Sequence, residues 1–292
     1  MTRAAPPRRL VYLGTPQMAV PPLEALVEAG FDIALVVTRP DRRRGRGPQL
    51  TPSPVKIAAG ELNLPVTHSV DDVLDAGPDL GVVVAFGQLI KPHVLDGVAM
   101  LNLHFSLLPR WRGAAPVERA LLAGDDETGV CLMRLEAGLD TGPVFRRAVV
   151  PIEPSTTAAR LRSELVDVGT RMLVDELRAG LGVPEPQVGE PTYAAKIRPE
   201  ELHIDWTRPA IEIDRLVRIG GAWTTLVGRR LKIIEAELID DDIRPTDNLI
   251  GDRVGGLRLV VVQPEGKPPI PFDAFARGAR LADIEQLGSA QR

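Results

Sequence analysis

The stretch Leu101-Asn102-Leu103-His104-Phe105-Ser106-Leu107-Leu108-Pro109-Arg110-Trp111-Arg112-Gly113-Ala114-Ala115-Pro116 sets the frame for the rest of the chain. It continues the apolar run Val98-Ala99-Met100-Leu101, the pattern of a buried strand. Polar groups then fall at every second position, Asn102, His104 and Ser106. A strand repeats every two residues, so these side chains share one face while Leu101, Leu103 and Phe105 take the other. An amide, an imidazole and a hydroxyl together at a strand end are costly to bury without partners. Pro109 ends the ladder, and Arg110-Trp111-Arg112-Gly113 makes a basic, aromatic loop. Open α/β sheets place their ligands at the carboxyl ends of strands, where this polar face lies.

Working outward, the same alternation of strand and helix recurs. Leu10–Leu13 reads as a first strand, Ala19–Ala29 as a helix stopped by Gly30, and Phe31–Thr38 as a second strand. Val55–Leu62 is a short helix and Pro65–Thr67 a short strand, while Leu80–Phe86 is apolar throughout, as a central parallel strand is. Pro116–Ala123 forms a helix with Pro first, Val130–Leu135 and Val144–Ile152 are strands, and Ser155-Thr156-Thr157 caps a helix over Ala158–Leu177. This order predicts an α/β fold with a doubly wound, mostly parallel sheet. After the Gly/Pro-rich stretch Gly180–Pro191 the pattern changes. One helix, Ile211–Ile219, and short strands at Thr224–Val227, Leu231–Ile234 and Leu257–Val262 predict a small barrel-like second domain.

Length and composition agree with two domains: 292 residues, 44% hydrophobic and 25% charged. No apolar run reaches the length needed to span a bilayer. Met1–Arg9 is basic and leads straight into a strand, so it reads as a disordered tail and not as a signal peptide. The single cysteine, Cys131, excludes an internal disulfide and suits a reducing cytoplasm. Histidines scattered at 68, 93, 104 and 203 do not suggest a zinc site, and no metal is expected. The net charge of −4 excludes a uniformly basic surface. Yet Arg39, Arg42, Arg43, Arg44 and Arg46 cluster in the loop Arg39–Pro54, too charged and too rich in Gly and Pro to be an element. That loop follows a strand on the functional rim, and a local basic loop can grip phosphates on an acidic protein. A nicotinamide cofactor is poorly supported, because Gly14 alone follows the first strand and the GxGxxG pattern is missing. In Glu136–Gly142 the carboxylate of Asp140 sits between two glycines, a pattern that also fits a plain turn cap.

These residues resemble the methionyl-tRNA formyltransferase family. The resemblance rests on Asn102-Leu103-His104-Phe105-Ser106-Leu107-Leu108-Pro109 and Leu139-Asp140-Thr141-Gly142. Trp111–Pro116, the loop Arg39–Lys56, Tyr193–Ile197 and Ile204-Asp205-Trp206 resemble the tRNA-acting members in particular. Similarity runs from Leu10 to about Trp206 and more faintly to the end. It implies a Rossmann-like catalytic domain over 1–183, a linker over 184–205 and an OB-like tRNA-binding domain over 206–292. It further implies 10-formyltetrahydrofolate as formyl donor, initiator methionyl-tRNA as acceptor, and a monomeric cytoplasmic enzyme of translation initiation.

The resemblance implies roles for single residues. Asn102 would stabilise an oxyanion, a donor typically worth roughly 10²–10³ in rate. His104 would share that task or shuttle a proton, and Asp140 would orient the imidazole or a water. Ser106, Leu107, Leu108 and Pro109, with Phe86, Gly87 and Leu89, would line the donor pocket. Arg42, Arg43, Arg44 and Arg46, with Lys196, Arg229 and Arg230, would contact tRNA. Phe105 departs from the glycine common at its position, and Pro48-Gln49 replace residues often basic in the family. The segment before Gly221-Ala222-Trp223 and the stretch Glu235–Val260 are short. Two other readings remain beside this one: a formyltransferase acting on an amino sugar nucleotide or a formyltetrahydrofolate hydrolase, and a non-catalytic RNA-binding relative.

Overall fold

The computed structural model describes residues 3–43, 50–226, 228–239, 253–254 and 256–279. Its main sheet has seven strands: β1 Arg9–Gly14, β2 Asp32–Val37, β3 Val66–Thr67, β4 Leu80–Val84, β5 Met100–His104, β6 Glu127–Arg134 and β7 Val144–Pro151. In space they run β7-β6-β5-β4-β1-β2-β3. Strands β1 to β5 pair in parallel, and β6 and β7 are added antiparallel at one edge. The strand order reverses between β1 and β4, the type of point where open α/β sheets form their crevice.

Side-chain chemistry explains this placement. Leu80–Val84 is buried at every position, and Leu10 to Leu13 of β1 are fully buried, as strands covered on both faces must be. The edge strand β7 buries Val144 and Val150 and exposes Arg146 and Arg147, with a register shift between Val144 and Arg146. Helices α1 Val20–Glu28, α2 Pro54–Glu61, α3 Asp72–Asp75, α4 Pro92–Gly97, α5 Pro116–Ala123 and α6 Ala158–Ala179 connect the strands. Ser53 caps α2 by accepting from the Lys56 N–H at 3.0 Å. The mostly parallel sheet is therefore as expected.

The chain divides into two compact units. The first holds residues 1–117, 127–151 and 162–195, and the second holds 118–126, 152–161 and 196–292. In the second unit, α7 Ala210–Ile219 accompanies an antiparallel sheet of β8 Trp223–Leu226, β9 Arg229–Leu238, β10 Arg253–Val254, β11 Leu257–Pro264 and β12 Ile270–Pro271. Its core gathers Ile204, Ile213, Val217, Leu231, Ile233, Leu257 and Val262. A final helix, α8 Phe272–Gly278, inserts Phe272 into that core. Arg218 pairs with the buried Asp214 at 2.7 Å and donates to the Thr156 carbonyl at 3.0 Å.

Two local expectations need correction. The chain from Arg3 onward is not a loose tail: Arg3 pairs with the buried Glu176 and donates to the Gly180 carbonyl, and the Ala4 N–H donates to Leu181 at 2.9 Å. A buried carboxylate demands a cation, and Arg3 supplies it. The loop Arg39–Pro54 contains an element after all, because Arg42–Arg43 pairs antiparallel with Leu50–Thr51. Within the Gly180–Pro191 stretch, Glu185 bridges Val144 through two 2.8 Å backbone bonds.

Candidate active site

Strand β5 delivers Asn102 and His104 on one face, as its two-residue period requires, with His104 opposite Cys131 of β6. Beyond it the chain folds back sharply. The fully buried Ser106 hydroxyl donates to the Arg110 carbonyl at 2.6 Å and closes that turn. Trp111 then takes a left-handed φ of +62°, rare for so bulky a residue. Its N–H donates to Thr192 Oγ1 at 2.9 Å, and its carbonyl lies 2.9 Å from His104 Nε2. A carbonyl only accepts, so Nε2 carries the proton.

That assignment leaves Nδ1 of His104 facing Asp140, whose Oδ2 is 3.6 Å away. The separation exceeds a direct hydrogen bond, so the carboxylate acts on the imidazole through its field. Oδ2 also accepts from the Gly113 N–H at 2.8 Å, and Oδ1 lies 3.5 Å from Asn102 Nδ2. Nitrogen atoms of Asn102, His104 and Gly113 thus converge on one carboxylate. Asp140 is 12% exposed and His104 6%, which makes those partners a condition of burial. Gly113, with φ at +119°, lies so close to Ala194 that an added Cβ would stand 2.9 Å from its carbonyl oxygen. Only glycine lets Arg112–Gly113 pair with Tyr193–Ala194 and still turn its N–H to the carboxylate.

The other expected site residues divide. Leu108 packs inside with Cys131, Met133 and Val144, and Phe86 belongs to the core beneath β1 and β4. Gly87 and Leu89 are exposed, Leu89 at 82%, while Leu107 reaches toward Gly129. Pro109 accepts from the Thr192 N–H at 3.3 Å. Arg42 and Arg43 are exposed on their hairpin, whereas Arg44 and Arg46 lie outside the described residues. Lys196, Arg229 and Arg230 are exposed in the second unit, Arg230 stacked over Trp223 at 4.3 Å. Among the described residues no cluster of three His, Cys, Asp or Glu side chains is placed to hold a metal. The backbone groups of Trp111 and Gly113 and the side chains of Gln187 and Thr192 were not anticipated. Their roles depend on contacts up to 81 residues apart, which no local pattern encodes.

Residues 8–177 match the formyl transferase family, and residues 196–280 match the formyl transferase C-terminal domain. The chain belongs to the methionyl-tRNA formyltransferase family. The methionyl-tRNA formyltransferase of Dinoroseobacter shibae is 48% identical, over 94% of this chain and 98% of that protein. That of Ruegeria pomeroyi is 43% identical, over 92% of this chain and 97% of that protein. Among solved structures, an N-formyltransferase from Helicobacter canadensis, crystallised with folinic acid and dTDP-3-aminofucose, aligns with a TM-score of 0.64. It is 18% identical and the match covers 88% of this chain and 99% of that one, a likeness of fold. The methionyl-tRNA formyltransferase of Clostridium thermocellum aligns at 0.55 with 14% identity, over 87% of this chain and 99% of that one. As a formyltransferase family member, this protein is a one-carbon transferase with a folate-derived formyl donor.

Proposed function

We propose that the protein transfers the formyl group of 10-formyltetrahydrofolate to the α-amine of initiator methionyl-tRNA, as a cytoplasmic monomer. The observation that carries the chemistry is the convergence of Asn102, His104 and Asp140 at the end of β5, with Nε2 of His104 tied to the Trp111 carbonyl. The names and near-complete coverage of the relatives support the acceptor.

The amine nitrogen forms a bond to the formyl carbon, and the carbonyl electron pair moves onto oxygen. Collapse of the tetrahedral centre then breaks the bond to N10. The amine gives up one proton and N10 gains one, so the transfer is proton-neutral overall. Asn102 Nδ2, 3.5 Å from Asp140, is only weakly engaged and donates to the developing oxyanion. His104 keeps its Nε2 proton on Trp111 and works through Nδ1, where Asp140 stabilises the imidazolium. The Gly113 N–H in turn donates to Asp140 Oδ2 and fixes the direction of that carboxylate.

Exposed Arg42 and Arg43 support contact with the acceptor's phosphates, together with Arg44 and Arg46 of the same loop. Donor contacts fall to the rim from Gly87 to Leu89 and to Leu107 and Pro109, since Ser106 and Leu108 are buried. Lys196, Arg229 and Arg230 contribute further tRNA contacts. Two measurements test this function. With 10-formyltetrahydrofolate as donor, charged initiator tRNA should be formylated in preference to charged elongator tRNA; equal use of both would overturn the acceptor. His104→Ala should abolish transfer while leaving tRNA binding intact, and unchanged turnover would remove His104 from the chemistry.

A further inference from the structure

We propose that Gln187, in the segment that returns after α6, is a positioning residue that fixes the Asp140 carboxylate against His104. This rests on the catalytic reading of Asn102, His104 and Asp140 given above.

The Gln187 amide is fully used. Its Nε2 donates to the carbonyls of Asp140 and Gly142, each at 2.8 Å. Its Oε1 accepts from Arg112 twice, from Nε at 3.1 Å and from a terminal guanidinium nitrogen at 2.7 Å. Two donors and two acceptor positions are all an amide has. The placement of these bonds is what points to the chemistry. Asp140 has a left-handed φ of +48°, which a non-glycine residue keeps only when its surroundings impose it. Gln187 holds the carbonyl of that residue on one side. On the other it holds Arg112, whose neighbour Gly113 donates its N–H to Asp140 Oδ2 at 2.8 Å. One side chain therefore fastens both the backbone that carries the carboxylate and the strand that supplies its hydrogen bond.

A small rotation at Asp140 would move Oδ2 relative to Nδ1 of His104, already 3.6 Å away. Misplacement of about 1 Å can cost roughly 10² in rate. The segment does not depend on Gln187 for its own position. Glu185 is bridged to Val144, the Arg112 N–H donates to the Thr192 carbonyl at 2.8 Å, and Tyr193–Ala194 pairs with Arg112–Gly113. Loss of the amide should thus loosen the site without unfolding the strap.

The test uses the full chain with the substituted residues Gln187→Ala and Gln187→Glu. The second keeps an acceptor for Arg112 but removes both donations to the Asp140 turn. Both variants should lose about 10- to 100-fold in kcat, with KM for either substrate changed less than about twofold and the pH–rate profile displaced. Placed on Asp140→Asn, Gln187→Ala should cost no further residual rate, because it acts through Asp140. An unchanged kcat for both variants would overturn the proposal. So would a fall in kcat matched by a fall in Tm with the pH profile unmoved, or full additivity with Asp140→Asn. If Asp140→Asn itself left turnover intact, the catalytic reading would fail instead, and the double substitution separates the two results.

Discussion

At the scale of single residues, the site depends on backbone shape as much as on side-chain chemistry. Trp111 and Asp140 both hold positive φ angles, and each presents a group to His104. Gly142 completes the Asp140 turn so close to β6 that a Cβ there would collide with the Arg134 carbonyl oxygen. Backbone cannot yield as a side-chain tip can. Gly142→Ala should therefore lower kcat by about 10²-fold and stability by about 1–3 kcal/mol, as measured by formylation rate and denaturant unfolding. A variant with normal turnover would show that the turn tolerates movement. The alternation of Asn102, His104 and Ser106 was legible because a strand's period is fixed by covalent geometry. Ser106, however, spends its hydroxyl on the Arg110 carbonyl, a use the alternation alone does not distinguish from ligand contact.

At the scale of elements, strands and helices followed apolar patterning, which reports burial directly. What stayed hidden were pairings between segments distant in sequence. The antiparallel sense of β6 and β7, the hairpin at Arg42–Arg43 and the anchoring of Arg3 on Glu176 all depend on what the chain meets after folding. Another such pairing joins α5 to the turn Pro199–Leu202 within the second unit. Arg119 bonds Glu201 through both guanidinium arms, at 2.8 and 3.2 Å. The Arg119 guanidinium, and next the Arg198 N–H, hold the Glu201 carboxyl down to about 2. A carboxyl with a depressed folded value stabilises the protein above its unfolded value of about 4.3 and loses that effect as pH falls toward 2. With Glu201 28% exposed, the contribution is about 1 kcal/mol after solvent screening. The stability gap between the native protein and Glu201→Gln should be widest above pH 5 and close on acidification, read by urea unfolding across that range. A gap independent of pH would mean that shape, not charge, makes this contact.

For the whole molecule, a net charge of −4 provides no general attraction to nucleic acid. Acceptor capture must then come from local basic segments, and Arg42 and Arg43 project from theirs into solvent. In a plot of log kcat/KM for charged tRNA against log salt, the slope should be negative. Arg42→Ala with Arg43→Ala should flatten it by about 1 to 2 as phosphate contacts are lost. An unaltered slope would assign the contact to other cations. The strand order has a further consequence, for synthesis on the ribosome. β1 emerges first yet lies mid-sheet, flanked by β2 and β4, so it stays half-covered until Val84 has been made. His104 must then wait for Asp140, and Asp140 for Gln187. Chain elongation runs at about 5–20 residues per second, so a nascent chain spends several seconds with its sheet forming and its carboxylate unanchored. The turn that carries Asp140 is anchored only when the segment after α6 closes over residues made long before it.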